Sequence, residues 1–522
     1  MDRIDRRALL AGGGALSLAA FCGDVWAAPA FSATPFALGV AAGDPAADGF
    51  VIWTRLAPRP LAEHGGMPPL GVVVRWEVAD DERFARIARS GEVLARPELA
   101  HSVHVEVDGL RPSRPYWYRF RVGGGDASPI GRARTAPRAG NLPSRLRLAN
   151  AGCQHYQAGL FTAWRHLSGE DDLDAVFHYG DYIYEGGAPA DPPLIVDGAG
   201  RPIDRRHAGA EIYSLDDYRR RYAQYKTDPD LQAAHAAAAF IVSFDDHEVD
   251  NNWASDFDQD GTPPELFVLR RAAAMQAWYE HMPVRRPQFP HGGRAAMFRR
   301  LDYGSLLRMH VLDTRSYRSD QLCEREGQAA CRPADDLRST MLGAQQEAWL
   351  AAGLRNDARW NLIAQQVFVM PTRRRAPDGS VGRGGTDTWN GYPAARARLV
   401  KAIGDAGLTN VVVATGDAHI HAVGSIPLRD DEPDGTAAAV EFLATSISSG
   451  GDGAAETDGT RALLAGSPNL LLANAQRGYQ VFDVSPREWT TQVKVVDRVQ
   501  RPGGSLSTLA RFSVRPDRPE LG

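Results

Sequence analysis

The sequence predicts an α/β fold, a layered sandwich of mixed sheets flanked by helices, preceded by an immunoglobulin- or fibronectin-like β-sandwich. Three observations predict it. From Phe36 to Pro137 short segments alternate apolar and polar residues at the two-residue period of half-buried strands. A link rich in proline, arginine and glycine follows over residues 136–143. Beyond it, short apolar runs alternate with stretches of helical period, as in a sheet covered by helices. With 522 residues the chain has ample material for more than one domain.

The first element is an export signal over residues 1–30. Arg6-Arg7 precede Ala8-Leu9-Leu10 and an apolar stretch to Ala20, and Ala28-Pro29-Ala30 offers small residues for cleavage. This is the pattern read by the twin-arginine export machinery, which carries folded proteins, so the destination is the periplasm or the medium outside the cell. The apolar run is too short and too rich in glycine to span a bilayer. No later segment reaches the roughly 20 apolar residues a span needs, so no membrane span is expected in the mature protein. Cys22 leaves with the signal. Cys323 and Cys331 are close enough in sequence to pair in an oxidising compartment. Cys153 is then unpaired, and an odd cysteine in an exported protein is either buried and inert or chemically used.

Residues 31–138 form the β-sandwich domain. Gly49-Phe50-Val51-Ile52-Trp53-Thr54, Val72-Val73-Val74-Arg75-Trp76-Glu77-Val78, His104-Val105-Glu106-Val107 and Trp117-Tyr118-Arg119-Phe120-Arg121-Val122 read as its strands. Leu110-Arg111-Pro112 followed by Tyr116 has the form of a tyrosine corner. This part carries no chemistry and reads as a scaffold or lid. Residues 144–500 form the larger domain. Its strands begin with Leu146-Arg147-Leu148-Ala149-Asn150, Ala175-Val176-Phe177-His178-Tyr179 and Ala239-Phe240-Ile241-Val242-Ser243-Phe244. Trp360-Asn361-Leu362-Ile363-Ala364 and Val411-Val412-Val413-Ala414-Thr415 follow, with helices over 215–225 and 267–282. Residues 501–522 are polar and read as a peripheral, poorly ordered tail.

Charge narrows the function classes. A net charge of -5 gives no support for a stable nucleic-acid complex. The chemistry lies instead at strand ends. The first large-domain strand runs into Ala151-Gly152-Cys153-Gln154-His155, and the second into Gly180-Asp181-Tyr182-Ile183-Tyr184-Glu185. The third runs into Asp245-Asp246-His247-Glu248-Val249-Asp250-Asn251-Asn252, and the fifth into Gly416-Asp417-Ala418-His419-Ile420-His421. Ligands bind beyond the carboxyl ends of strands in α/β sheets, so these tips can converge although distant in sequence. Each cluster alone is an ordinary turn; four in one domain are not. Thiolate, tyrosinate, imidazole and carboxylate together suit a hard Lewis acid such as ferric iron, with zinc an alternative. The surplus of carboxylate and amide oxygens suits calcium. Asp256-Phe257-Asp258-Gln259-Asp260-Gly261 has the start of a calcium loop, but Phe267 stands where the bidentate glutamate belongs, so it reads as an acidic surface turn.

With Cys153, Gly180-Asp181-Tyr182-Ile183-Tyr184-Glu185, Asp245-Asp246-His247-Glu248 and Gly416-Asp417-Ala418-His419, the chain resembles the PhoD-type alkaline phosphatase family of the metallophosphatase-like superfamily. Trp389-Asn390-Gly391-Tyr392-Pro393 and Ser446-Ile447-Ser448-Ser449-Gly450-Gly451 extend the resemblance, which covers nearly the whole chain. It implies a metallophosphatase fold, one ferric iron (Fe3+) with calcium (Ca2+), and hydrolysis of small phosphate esters. Carried over position by position, Cys153, Asp181, Tyr184, Asp417 and His419 are the implied metal ligands. Asp181 bridges the two metals and Asp246 stands on the calcium side. Two sites depart from the family pattern. Asn390 replaces the more usual aspartate, and Gln365-Gln366 stand where other metallophosphatases place a histidine ligand.

The implied reaction is in-line attack of metal-activated hydroxide on phosphorus, releasing inorganic phosphate. His247 is the candidate catalytic residue, protonating the leaving oxygen or contacting phosphate; a structural role, orienting a carboxylate, is the alternative. A phosphodiesterase or phospholipase-D-like hydrolase on the same scaffold is a second reading, with loops 189–210 and 373–388 shaping the entrance. A non-catalytic calcium-binding surface protein is a third, in which Cys153 and Tyr184 have no use.

Overall fold

The computed structural model describes residues 31, 33–123, 125–322, 332 and 336–522. The export signal, Cys22, Cys323 and Cys331 therefore lie outside the described residues. Among the described residues eight strands occupy the N-terminal region: β1 (Val40–Ala46), β2 (Gly49–Arg55), β3 (Val72–Ala79), β4 (Ile87–Ala95), β5 (Ser102–Val107), β6 (Pro115–Val122), β7 (Asp126–Ala127) and β8 (Gly131–Arg134). Strands β3, β4, β6, β7 and β8 make one antiparallel sheet. Strands β1, β2 and β5 face it across a core that includes Phe50, Ile52, Val74, Tyr118 and Phe120. The Tyr116 hydroxyl accepts from the Arg111 backbone N–H at 2.8 Å, the bond that a tyrosine corner requires.

This region does not close on itself as a separate sandwich over 31–138. Strand β1 pairs in parallel with β11 (Ala239–Val242), Ala42 opposite Ala239, so β1, β2 and β5 continue the sheet of the larger domain. The pairing joins segments nearly 200 residues apart, and no local pattern announces it.

In the larger domain β9 (Leu146–Ala151) and β10 (Ala175–His178) lie parallel beside β11. A second group consists of β12 (Arg299–Tyr303), β13 (Leu307–Val311), β14 (Trp360–Ala364), β17 (Val411–Thr415), β18 (His421–Pro427) and β19 (Ala437–Leu443). The hairpin β15 (Arg373–Arg375) and β16 (Val381–Arg383) stands apart, and β20 (Gly453–Ala454) is short. The long strand β21 (Leu470–Val484) joins the groups, pairing first with β18 and then with β9. Strands β22 (Trp489–Val496) and β23 (Leu506–Val514) complete the edge.

Alternation along the strands builds the layers. On β17, Val412 and Ala414 enter the core between the two groups of strands, whereas Val411 and Val413 pack with the helices Gly343–Gly353 and Pro393–Asp405. Strand β14 splits likewise, with Leu362 inward and Ile363 toward the helices. The helices Thr162–Ser168, Leu215–Lys226 and Pro264–His281 supply further residues of the first core.

The polar tail expected over 501–522 is corrected by β23, which pairs with β22 from Leu506 to Val514. Ser507, Thr508, Leu509 and Arg511 are exposed and only Val514 is buried, so the segment is polar because it is an edge strand.

Candidate metal centre

Four strand ends meet where the two groups of strands face each other. The Tyr179 ring lies between them, and its hydroxyl donates to the Thr445 carbonyl at 2.7 Å. A Cβ at Gly152 would meet this ring at 2.5 Å and one at Gly416 would meet it at 2.1 Å, so both must be glycine. Asn150 Nδ2 donates to the Thr415 carbonyl at 3.0 Å and fixes the ends of β9 and β17 relative to each other.

After β9, β10 and β17 the chain turns through left-handed residues. Cys153 (φ 52°), Asp181 (φ 54°), Asp417 (φ 67°) and His419 (φ 55°) all take a conformation unfavourable for residues other than glycine. Such strain persists only where surrounding contacts enforce it. At Asp181 the contact is Glu248: its carboxylate accepts from the N–H groups of Asp181 (3.0 Å), Tyr182 (2.5 Å) and Asp245 (2.8 Å), tying the loop after β10 to the loop after β11.

Cys153, Asp181, Tyr184 and His419 converge. Cys153 Sγ lies 3.3 Å from Asp181 Oδ2, and the Tyr184 hydroxyl lies 2.9 Å from that oxygen and 3.1 Å from His419 Nε2. Asp181 also faces Asp246 and a ring nitrogen of His247, and Asp246 in turn groups with Asp245 and Asp417. Asp181 thus stands between two ligand sets, one with sulfur and nitrogen and one of oxygens. Cys153, Asp181 and Asp246 are buried, whereas Asp417, His419 and His247 are partly open and form the mouth.

The electrostatics of this cluster call for a cation. Burial raises the Asp181 carboxyl to about 7 and the Asp245 carboxyl to about 8. Burial, then Asp245 and Asp246, raises Asp417 well above the carboxylate range. Burial and nearby carboxylates push the Cys153 thiol and Tyr184 phenol far up. Asp181 Oδ1, Asp245 Oδ2 and Asp246 Oδ1 are buried with no hydrogen-bond partner. Bound cations reverse this order, deprotonating a coordinating thiol outright and satisfying orphaned oxygens. The donor set fits one ion held by sulfur, phenolate, imidazole and carboxylate beside another held by oxygen.

His247 is held from behind. Its Nδ1 lies 2.7 Å from Glu185 Oε2, and the other Glu185 oxygen accepts from the Asn251 N–H at 2.9 Å. Burial alone would lower the imidazole, but Glu185, Asp246 and Asp181 outweigh it and hold His247 well above its usual range.

A model of the PhoD-like phosphatase matches residues 148–493, and a model of the PhoD-like phosphatase N-terminal domain matches residues 23–137. The chain belongs to the PhoD-like phosphatase family. It is 43% identical to alkaline phosphatase D of Bacillus subtilis (strain 168), over 100% of this chain and 89% of that protein. A solved structure of PhoD superposes with a TM-score of 0.88 at 43% identity, covering 95% of this chain and 93% of the other. The purple acid phosphatase PPD1 of yellow lupin (Lupinus luteus) shares the fold, with a TM-score of 0.52 at 12% identity over 91% of this chain and 73% of the other. The protein is thus a phosphatase with a metallophosphatase-like α/β fold.

The departures from the PhoD-like pattern lie off the ligand cluster. Asn390 turns its amide onto Thr372, accepting from its N–H at 3.1 Å and donating to Oγ1 at 2.6 Å. Gln366 donates to the Leu312 carbonyl at 2.9 Å and accepts from the Thr314 N–H at 3.1 Å. Gln365 Oε1 accepts from the Val367 N–H at 3.2 Å.

Sequence reasoning gave no role at the site to three contributors. Arg315, fully buried, donates to Asp245 and to Asp387 at 2.9 Å, and its Nη2 lies 3.6 Å from both Asp246 and Asp417. Asp387 also accepts from Arg318 at 2.6 Å. Ser449 Oγ lies 2.7 Å from the Tyr184 hydroxyl and donates to the Cys153 carbonyl at 2.8 Å. The usable signal for Arg315 was Asp313-Thr314-Arg315 directly after Val311 and Leu312, a further polar strand end.

Proposed function

We propose that this phosphatase hydrolyses phosphate monoesters and diesters at a centre of ferric iron and calcium, after export by the twin-arginine pathway to the periplasm or beyond the cell. The observation that carries the metal reading is Asp181, whose carboxylate is shared between the Cys153–Tyr184–His419 set and the Asp246–Asp417 oxygen set. Thiolate and phenolate favour Fe3+ on the first side, and clustered carboxylates favour Ca2+ on the second. Such ions supply hydroxide near neutral pH and polarise phosphoryl oxygens.

The chain's own residues do the rest. Cys153, Tyr184 and Asp181 hold negative charge that balances the centre. Glu185 takes His247 Nδ1, which fixes the ring and leaves Nε2 as the proton donor toward the departing alkoxide. Arg315 restrains Asp245 and Asp387 and keeps Asp246 and Asp417 from being driven apart by their charges. The N-terminal region, immunoglobulin-like in its tyrosine corner, serves as scaffold through the β1–β11 pairing. Export rests on Arg6-Arg7 and the apolar segment after them.

The test is hydrolysis of a chromogenic phosphate monoester and the matching diester by mature protein, with and without calcium and chelator. Chelator-sensitive turnover of both supports the reading. Turnover insensitive to exhaustive chelation overturns its metal part, and monoester turnover alone overturns its diester part.

A further inference from the structure

Asp256-Phe257-Asp258-Gln259-Asp260-Gly261 has the aspartate spacing of a calcium loop as far as its glycine, and Phe267 fails to supply the carboxylate that closes one. The fold supplies a different carboxylate. Ala254 and Phe257 exchange backbone hydrogen bonds at 2.8 and 3.0 Å, a tight turn that reverses the chain and returns the next residues to Asp250. Carboxylate oxygens of Asp250, Asp258 and Asp260 then lie within 4.8 Å of one another. Asp256 instead pairs with Arg271 at 2.8 Å and Arg294 at 3.1 Å. The group shares no residue with the ligand sets around Asp181.

Asp250 is the buried member, 2% exposed. Arg270 Nη1 lies 3.2 Å from its Oδ1, but its Oδ2 is buried with no hydrogen-bond partner. Arg270 also pairs with Glu211 at 2.8 Å, so its charge is divided. Asp258 Oδ1 accepts from the Thr262 N–H at 2.9 Å, and among the described residues neither Asp258 nor Asp260 has an ion-pair partner. Three carboxylates thus gather around one guanidinium that a fourth already engages. Burial raises the Asp250 carboxyl to about 7, and Glu185, Asp258 and Asp260 add to the rise. An unpaired buried carboxylate oxygen is costly, and a cation supplies both the missing partner and the missing charge.

We propose that Asp250, Asp258 and Asp260 bind a calcium ion outside the metal centre, where it fixes residues 250–262. The donors are all oxygens. Calcium takes about six to eight of them in flexible geometry, which three carboxylates and water can supply, whereas magnesium demands a near-ideal octahedron. Asp258 is half-buried and Asp260 exposed, so water reaches the outer side. The segment so fixed leads to the metal centre. Asn251, next to Asp250, donates from its N–H to Glu185 at 2.9 Å and from Nδ2 to Gln259 Oε1 at 2.7 Å, and Glu185 holds His247. The cation therefore restrains both neighbours of Asn251, the residue that steadies Glu185. The site does not depend on which ions the phosphatase chemistry uses.

The experiment counts calcium and iron in full-chain protein, in D258N/D260N and in D431N/E432Q, a control that loses the same charge from an exposed loop. Each is dialysed to equilibrium against about 5 mM calcium chloride, above the roughly 0.1–1 mM dissociation constants of extracellular calcium modules. Wild type and control should bind one calcium more than D258N/D260N, with iron equal in all three. Melting temperatures should cross over. Without calcium D258N/D260N should melt no lower than wild type, because it lacks the repulsion; calcium should then raise wild type by about 1–2 °C more than the variant. The proposal is overturned if D258N/D260N keeps the full calcium count, if the control loses as much, if calcium raises both melting temperatures equally, or if D258N/D260N loses iron, since the site would not then be separate. Absence of calcium from the Asp181 centre would lower all three counts alike and leave the difference of one intact, so failure of that part of the phosphatase reading is told apart from failure of this site.

Discussion

Replacing Arg315 with methionine should destabilise the metal-free protein far more than its loss from a surface would. The guanidinium is fully buried. It donates to the equally buried Asp245, pairs with Asp387 at 2.9 Å, and lies 3.6 Å from Asp246 and from Asp417. Removing one partner of a buried pair leaves uncompensated charge and costs about 3–5 kcal/mol, against about 1 kcal/mol or less at the surface. Burial raises Asp245 to about 8 even beside Arg315, and losing the guanidinium raises it further, so Asp245 adds to the gap between wild type and R315M only as pH rises above about 8. Calcium should narrow the gap, since a cation among Asp245, Asp246 and Asp417 supplies the missing charge and stabilises the folded state by mass action. Urea denaturation followed by tryptophan fluorescence suits the question, because Trp253 Nε1 lies 3.4 Å from the Asp245 carbonyl. A gap below about 1 kcal/mol without metal, the surface-pair value, or one that calcium leaves unchanged, would refute the reasoning.

Three further outcomes are expected. Cys153→Ser should lower iron content and activity together; unchanged iron would remove the thiolate from the ligand set. His247→Ala should slow esters of poorly acidic alcohols much more than nitrophenyl esters, by about 100-fold or more if general acid catalysis is lost, and equal effects on both would assign His247 a positioning role. Glu441 lies buried on β19, accepting from Val369 (3.0 Å), Met370 (2.6 Å) and Thr415 (2.7 Å), yet burial raises its carboxyl from 4.5 to about 7. The folded state therefore favours the protonated form: the stability is fully present below pH 4.5 and is lost as pH rises through about 7. Glu441→Gln should remove a pH dependence on the order of 3 kcal/mol across that window, and an unchanged slope in denaturation midpoints against pH would contradict it.

Much of the candidate site was legible because the residues that converge there follow strands at once. The clusters beginning at Cys153, Asp181, Asp246 and Asp417 needed only the knowledge that strand ends converge. What brings them to contact distance, the left-handed turns and the Glu248 carboxylate on three N–H groups, belongs to backbone geometry that composition does not encode. Arg315 escaped notice because a fully buried arginine is rare and the carboxylates around its guanidinium lie 69 residues or more away. In the fold, alternation found β2, β3 and β6, but the parallel β1–β11 pairing is non-local and left no trace. The same alternation exists in β23, where outward-facing serine, threonine and arginine disguised an edge strand as a tail.

The central claim is a phosphatase whose chemistry depends on metal at the Asp181 bridge. Its most direct test is turnover of a chromogenic phosphate monoester by mature protein, before and after chelation, with metal content measured on the same samples. The account predicts iron and calcium in the active protein, loss of turnover as they are removed, and recovery on adding them back. Full turnover in protein stripped of both metals would contradict it.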